Sequence, residues 1–460
     1  MKHSLFLGLA LMGLAPVTAN AQENAENNYI RNSVYMLKLD MPAENKEYEH
    51  AYDVTNKAFD GIDFAKRYSN YNDFNLGSHH IDWSKVPTAT AAEMDAIEKE
   101  SAKDKTLKTM LQSMGVKVDP IAEREYAARL LKYFNEKKFG NKLVAKWHVP
   151  AGADYTNVAT WDGTLSEIWK YGSAALSAEL REYAKKDNND VMYNMETQLL
   201  NTTYVCVNNY RMMTAQEKSA TAIALAKVTL EYLPGLAQLA GKVAVTAAEK
   251  AAEKTKGYFV RTNAYLFKLD WDAEKTETFY NNYWGDPENG DPAKIAAFNS
   301  SANYQLKYVG RSSKYAGAGL TMKSANLDKL IARGALRATD AAFAALQRDY
   351  DEFRPMSSLH VQDGKLVAYI GTKEGVKAGD KFDVFTRELT DKKTYEWKKV
   401  GSIKVAKGSV WDNQEGANET LEGAAEDGEQ VEGNASLQYT VFSDKPSKKI
   451  GEGCLIRLAK

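Results

Sequence analysis

Arg31-Asn32-Ser33-Val34-Tyr35-Met36-Leu37-Lys38-Leu39-Asp40 aligns without a gap on Arg261-Thr262-Asn263-Ala264-Tyr265-Leu266-Phe267-Lys268-Leu269-Asp270. Arg, Tyr, Lys, Leu and Asp recur at the same places. In each copy alternate positions are apolar: Tyr35, Leu37, Leu39 and Met41, then Tyr265, Phe267, Leu269 and Trp271. That spacing is the period-2 signature of a half-buried strand. The opposite face ends polar, at Lys38 and Asp40 or Lys268 and Asp270. Two matched strands so far apart are either a duplicated module or two related strands of one sheet, and the sequence leaves both open.

Further strands are expected around this pair. Leu199 to Met213 contains Thr203-Tyr204-Val205-Cys206-Val207, β-branched and aromatic as strands prefer. Asn303 to Gly310 is a fourth candidate. Helical composition marks Ala91 to Met114, Ile121 to Lys138 and Thr164 to Lys186. From Asn326 to Phe353 the apolar residues Leu327, Leu330, Ile331, Phe343, Leu346 and Tyr350 follow helical spacing, and Pro355 ends the run. The alternation of both element types predicts an α+β body. Its first region spans 28–198 and its second 199–355.

Ser219 to Glu253 is rich in Ala, Leu and Val and has Pro234-Gly235 at its centre. It reads as a helical hairpin turning at that dipeptide. Lys227, Glu231 and Lys242 interrupt the apolar run and argue against a membrane span. Leu233, Leu236, Leu239 and Val243 lie in this hairpin and are the candidate partner-binding residues.

From residue 357 to 460 the character changes. Short alternating runs, Leu366 to Ile370, Lys381 to Arg387, Glu396 to Val405, Gln438 to Phe442 and Cys454 to Leu458, are separated by Gly-containing turns. This spacing predicts a small β-barrel. An acidic tract over 415–433 carries Glu419, Glu422, Glu426, Asp427, Glu429 and Glu432 and reads as a solvated loop inserted between strands.

The beginning of the chain predicts export. Lys2 precedes an apolar run from Leu5 to Val17, and Ala19 and Ala21 fit a signal-peptidase site, making 1–21 a signal peptide. A periplasmic or outer-membrane-associated location follows, with no transmembrane span after cleavage. Lys+Arg of 60 against Asp+Glu of 61 gives a net charge of -1, so composition offers no basic surface for nucleic acid. Cys206 and Cys454 are the only cysteines and read as two separate buried thiols rather than a disulfide.

Two resemblances accompany these patterns. Lys365-Leu366-Val367-Ala368-Tyr369-Ile370-Gly371, Gly375-Val376-Lys377-Ala378-Gly379-Asp380-Lys381-Phe382-Asp383-Val384 and Gly401-Ser402-Ile403-Lys404-Val405 resemble the SH3-like C-terminal module of the flagellar assembly protein FlgT and related envelope proteins. Leu200-Asn201-Thr202-Thr203-Tyr204-Val205 with Tyr265-Leu266-Phe267-Lys268-Leu269-Asp270-Trp271 is similar to a family of exported proteins of unknown function from Gram-negative anaerobes. The first implies an SH3-like barrel. The second implies an envelope location and no particular activity.

Catalytic patterns are scarce. His-Glu-x-x-His, Gly-x-Ser-x-Gly and Walker A motifs do not occur. His79-His80 is the only histidine cluster, near Asp63, Asp73 and Asp82 in sequence, and reads as an exposed loop pair rather than a metal site. No cofactor, metal ligand or catalytic residue is expected. Trp161, Trp169, Tyr171 and Trp284 are candidates for a sugar-stacking surface, with Trp271 a further aromatic of interest. The leading expectation is a non-enzymatic envelope component that binds envelope proteins or a second copy of itself. A carbohydrate or peptidoglycan binder, and a hydrolase without a recognisable motif, are the alternatives.

Overall fold

The computed structural model describes residues 29–30, 33–43, 46–68, 79–100, 120–148, 197–214, 258–284, 291–318, 327–389, 395–417 and 433–460. The fold is α+β, with helices and several sheets. The body is organised by a five-stranded sheet of β2 (Ser33–Asp40), β3 (His80–Asp82), β4 (Thr203–Thr214), β5 (Tyr258–Leu269) and β6 (Leu306–Ala318), in the order β3-β2-β4-β5-β6. β2 runs parallel to β3 and β4, and β5 runs antiparallel to both of its neighbours, β4 and β6. The two matched sequences therefore flank β4 in one sheet. Tyr35 and Phe267 both align with Val205, and Leu37 and Tyr265 both align with Val207. The sheet takes strands from both sides of residue 199.

The half-buried reading of these strands needs correction. Ser33 to Leu39 are all buried, including Lys38 at 3 % exposure. Both faces of the sheet are covered, which is why the apolar residues are not confined to alternate positions. One face carries Tyr35, Leu37, Val205, Val207, Tyr265 and Phe267. It packs against α3 (Ala91–Glu100), α4 (Pro120–Glu136), α5 (Phe139–His148), α6 (Ala273–Asn282) and α7 (Pro292–Ser300). The other face carries Val34, Met36, Tyr204, Cys206, Leu266 and Met212. It packs against α1 (Glu49–Asp60), α2 (Phe64–Tyr68) and the long α8 (Leu327–Asp349).

Local chemistry explains the helix starts. Thr90 and Glu93 form a reciprocal capping box before α3, with the Thr90 N–H on Glu93 Oε2 at 2.7 Å and the Glu93 N–H on Thr90 Oγ1 at 3.3 Å. Asp272 accepts the Lys275 N–H at the start of α6. Asp291 does the same for Ala293, with Pro292 in the first turn of α7. α5 approaches the Tyr304 backbone so closely that a Cβ on Gly140 would lie 2.1 Å from the Tyr304 carbonyl oxygen. The next residue, Asn141, donates to the Phe298 carbonyl at 2.6 Å.

Three boundaries differ from the sequence reading. The stretch from Leu199 is helical through 201, and the strand begins at Thr203, where Thr203 Oγ1 donates to the Leu199 carbonyl. The strand expected over 303–310 begins at Leu306 and runs on to Ala318. The α-helix expected to reach Phe353 ends at Asp349 and is followed by a 3-10 turn at Asp351–Phe353.

Among the described residues the C-terminal part forms two sheets. β1 (Tyr29–Ile30), β7 (Met356–Ser358), β10 (Lys381–Leu389), β11 (Tyr395–Lys404) and β13 (Leu455–Leu458) form one, in the order β1-β7-β13-β10-β11. β8 (His360–Gln362), β9 (Lys365–Ala368) and β12 (Thr440–Val441) form the other, in the order β12-β9-β8. Leu359, Leu366, Ile370, Val384, Ile403 and Ile456 share its core. Gly375, with φ at 73°, makes the turn that leads toward β10. β1 is the unexpected member: two residues from the beginning of the chain pair with Met356 and Ser357. The segment from Tyr29 to Asp40 thus contributes to both the C-terminal sheet and the body sheet.

Candidate functional site

The carboxyl ends of parallel strands are where open α/β sheets place their ligand-facing groups. Lys38 and Asp40 stand at the carboxyl end of β2, His80 is the first residue of the neighbouring β3, and Asp60 joins them from the last turn of α1. The Lys38 amine donates to Asp40. His80 Nδ1 contacts both Asp40 carboxylate oxygens at 3.0 Å, and Nε2 contacts Asp60 Oδ1 at 2.5 Å. Partial burial works against charge on His80, but its two carboxylate hydrogen bonds more than offset that and raise its pKa. Each ring nitrogen of the imidazolium has a carboxylate to donate to. The geometry is that of a clasp binding β2, β3 and α1 together, with neither nitrogen left as a base or metal ligand. His79 donates separately to the Met36 carbonyl at 2.9 Å, and its ring lies 5.3 Å from those of Tyr35 and Phe64.

A second polar cluster lies on α8. Asp340 sits among Ala338, Ala342 and Phe343 on the buried face of that helix, its side chain 1 % exposed. Arg67 meets it with a two-pronged pair, Nε to Oδ1 at 3.0 Å and Nη2 to Oδ2 at 2.6 Å. The Tyr68 hydroxyl also donates to Oδ1 at 3.0 Å. Burial opposes charge on Arg67, yet the adjacent Asp340 carboxylate prevails and its pKa is driven upward. Burial, followed by the Asp340 charge, pushes the Tyr68 phenol up as well. The third prong, Nη1, donates to Glu415 at 3.0 Å, and Arg337 holds the Glu415 carbonyl at 2.8 Å. Further along α8, Arg348 donates to Asp380 at 2.7 and 3.1 Å and to the Gly375 carbonyl at 2.8 Å. α8 is therefore both a cover for the body sheet and the mounting for the C-terminal part.

The candidates from sequence fare differently. Leu233, Leu236, Leu239 and Val243, with the rest of the 219–253 hairpin, lie outside the described residues, as do Trp161, Trp169 and Tyr171. Trp284 is half-buried against the body core, with the rings of Tyr280, Phe279 and His148 within 5.5, 5.9 and 6.1 Å. Trp271 is 2 % exposed and donates to Thr276 Oγ1, so it is a core residue rather than a sugar platform. His80 is gathered by Asp40 and Asp60 rather than by Asp63 or Asp82. Cys206 and Cys454 are free and buried, and burial pushes the Cys206 thiol up to about 12. Among the described residues no three His, Cys, Asp or Glu side chains are placed to hold a metal ion.

The Arg67–Asp340–Glu415 cluster was not anticipated. Its partners are separated by hundreds of residues, and their pairing has no local spacing. One signal was present: an aspartate on the apolar face of a long helix requires a cation or several donors. Models of known protein families give no match to this chain, and characterised proteins give none either.

Proposed function

We propose that this protein is an exported, non-enzymatic component of the cell envelope that binds other proteins, and that its C-terminal part is an SH3-like module presenting the binding edge. The observation that carries the reading is β11. It is a ten-residue strand at the end of the C-terminal sheet, and among the described residues no strand pairs with its outer side, where Ser443 and Asp444 engage the backbone of Lys404. An outer strand offers a row of backbone donors and acceptors to an incoming extended segment. Lys398 and Lys399 are exposed on it, and Lys399 is held by Asp383 at 2.7 Å. The ion pairs of Arg67 on α2 with Glu415 and of Arg348 on α8 with Asp380 support the same reading, because they join the module to the body. Among the described residues no helix is long and apolar enough to cross a membrane.

The test is a photo-crosslinking residue placed at Lys398 in the cell of origin, with Lys329 on α8 as the control position. The reading expects a defined envelope protein crosslinked from Lys398 alone, and its loss in Lys398→Glu with an unchanged melting temperature. Recovery of the protein by itself from both positions would remove this reading, and glycan-binding and hydrolase screens would follow.

A further inference from the structure

A partly open cavity of about 40 Å³ lies where the end of α8 meets the C-terminal sheet. Its apolar wall includes Ile370, Phe382 and Ile456. Its polar wall includes Gln347 and Ser357, each only 4 % exposed. Gln347 Nε2 and Ser357 Oγ are both buried without a hydrogen-bond partner. An amide nitrogen can only donate, and a serine hydroxyl can donate too, so these walls ask for an acceptor. The charged groups around the cavity are already matched: Arg348 pairs with Asp380, Arg354 with Asp351, and Glu374 Oε2 accepts from the Gly371 N–H at 2.8 Å and from Asn413 Nδ2 at 2.7 Å, so the call for an acceptor comes from Gln347 and Ser357.

We propose that this cavity is a binding site for a short apolar carboxylate, with the carboxylate accepting from Gln347 and Ser357 and the carbon stub resting on Ile370, Phe382 and Ile456. A volume of this kind holds roughly three water positions, or about a carboxylate with one or two further carbons. That chemistry is shared by a free short-chain acid and by the carboxyl terminus of a polypeptide ending in a small residue. The inference goes beyond the protein-binding reading and does not use the β11 edge, so either can fail alone.

The test follows the methyl resonances of Ile370 and Ile456 in the full chain while propionate, propionamide, sodium chloride, a peptide ending in a free alanine carboxylate and its amidated twin are added in turn. So small a ligand binds no tighter than micromolar, and a saturable shift in the millimolar range is expected for propionate. Propionamide, which keeps the stub and loses the charge, binds about tenfold or more weakly. Gln347→Leu and Ser357→Ala each weaken propionate similarly while leaving the melting temperature unchanged or higher, because each removes an unsatisfied buried group. A response to the free peptide but not its amide assigns the site to polypeptide termini. A response to propionate without one to either peptide assigns it to free acids. A shift shared equally by propionamide or chloride, or no saturable shift at all, overturns the proposal and leaves a hydrated cavity.

Discussion

His80 donates to carboxylates on both sides, and the sign of its effect on stability follows from that. Its folded-state pKa lies above the ordinary value of 6.5. The stabilisation is complete below the unfolded-state pKa and is lost as pH rises through the folded one. The expected result is that the melting temperatures of wild type and His80→Gln differ in mildly acidic buffer and converge in alkaline buffer. A gap that widens with pH would contradict the assignment. Arg67 gives a larger effect at every ordinary pH. Arg67→Ala strands the Asp340 carboxylate in the core and is expected to cost about 3–5 kcal/mol in urea unfolding, whereas an Arg67→Met, Asp340→Leu pair recovers most of that loss. Neither cluster was legible as a cluster. The sequence marks His80 and Asp340 as unusual, one by its neighbour His79 and the other by its apolar surroundings. It does not say that Asp60 or Arg67 comes to meet them, because that depends on how α1 and α2 cross the sheet.

Among the elements, α5 is fixed by a contact with no tolerance. A Cβ at position 140 would fall 2.1 Å from the Tyr304 carbonyl oxygen, and backbone cannot swing aside as a side chain does. Gly140→Ala is expected to destabilise by about 1–3 kcal/mol, read from thermal or urea unfolding. At β1 only backbone pairing is at issue. Ile30→Pro removes an amide donor next to Met356, and hydrogen exchange is expected to quicken at Met356–Ser358 while the amides of β5 stay protected. Legibility among the elements follows the strength of the pattern. β2, β5 and α8 are read from periodicity because their buried residues recur over many positions. α6 and α7 went unread as helices although Asp272 and the Asp291-Pro292 pair announce their starts. They are short, and most of their residues face away from the core.

For the molecule as a whole, the sequence predicts the mixture of helices and strands but not the order of the strands. The matched segments around Tyr35 and Tyr265 are compatible with two halves or with one sheet. What places them on either side of β4 is the long-range pairing of Leu37 and Tyr265 with Val207. The assumption of one exposed face also hid the third layer. Lys38 looks like a solvent-facing residue yet is 3 % exposed, whereas the Asp40 side chain beside it stays partly open. The mounting of the C-terminal part on α8 is equally invisible in the sequence, because Glu415 and Asp380 belong to turns whose partners, Arg67 and Arg348, are remote.

The pairing of β1 with β7 sets an order of events for the chain as it is made. Tyr29 and Ile30 leave the ribosome early, and their partners Met356 and Ser357 follow more than three hundred residues later. β2 likewise waits for β4 before it has a strand on its inner side. Loop closure over such lengths is slow. Tyr29 and Ile30 therefore wait for their partner strand through more than three hundred residues of synthesis, while β2 just behind them can pair with β3 and then β4 much sooner.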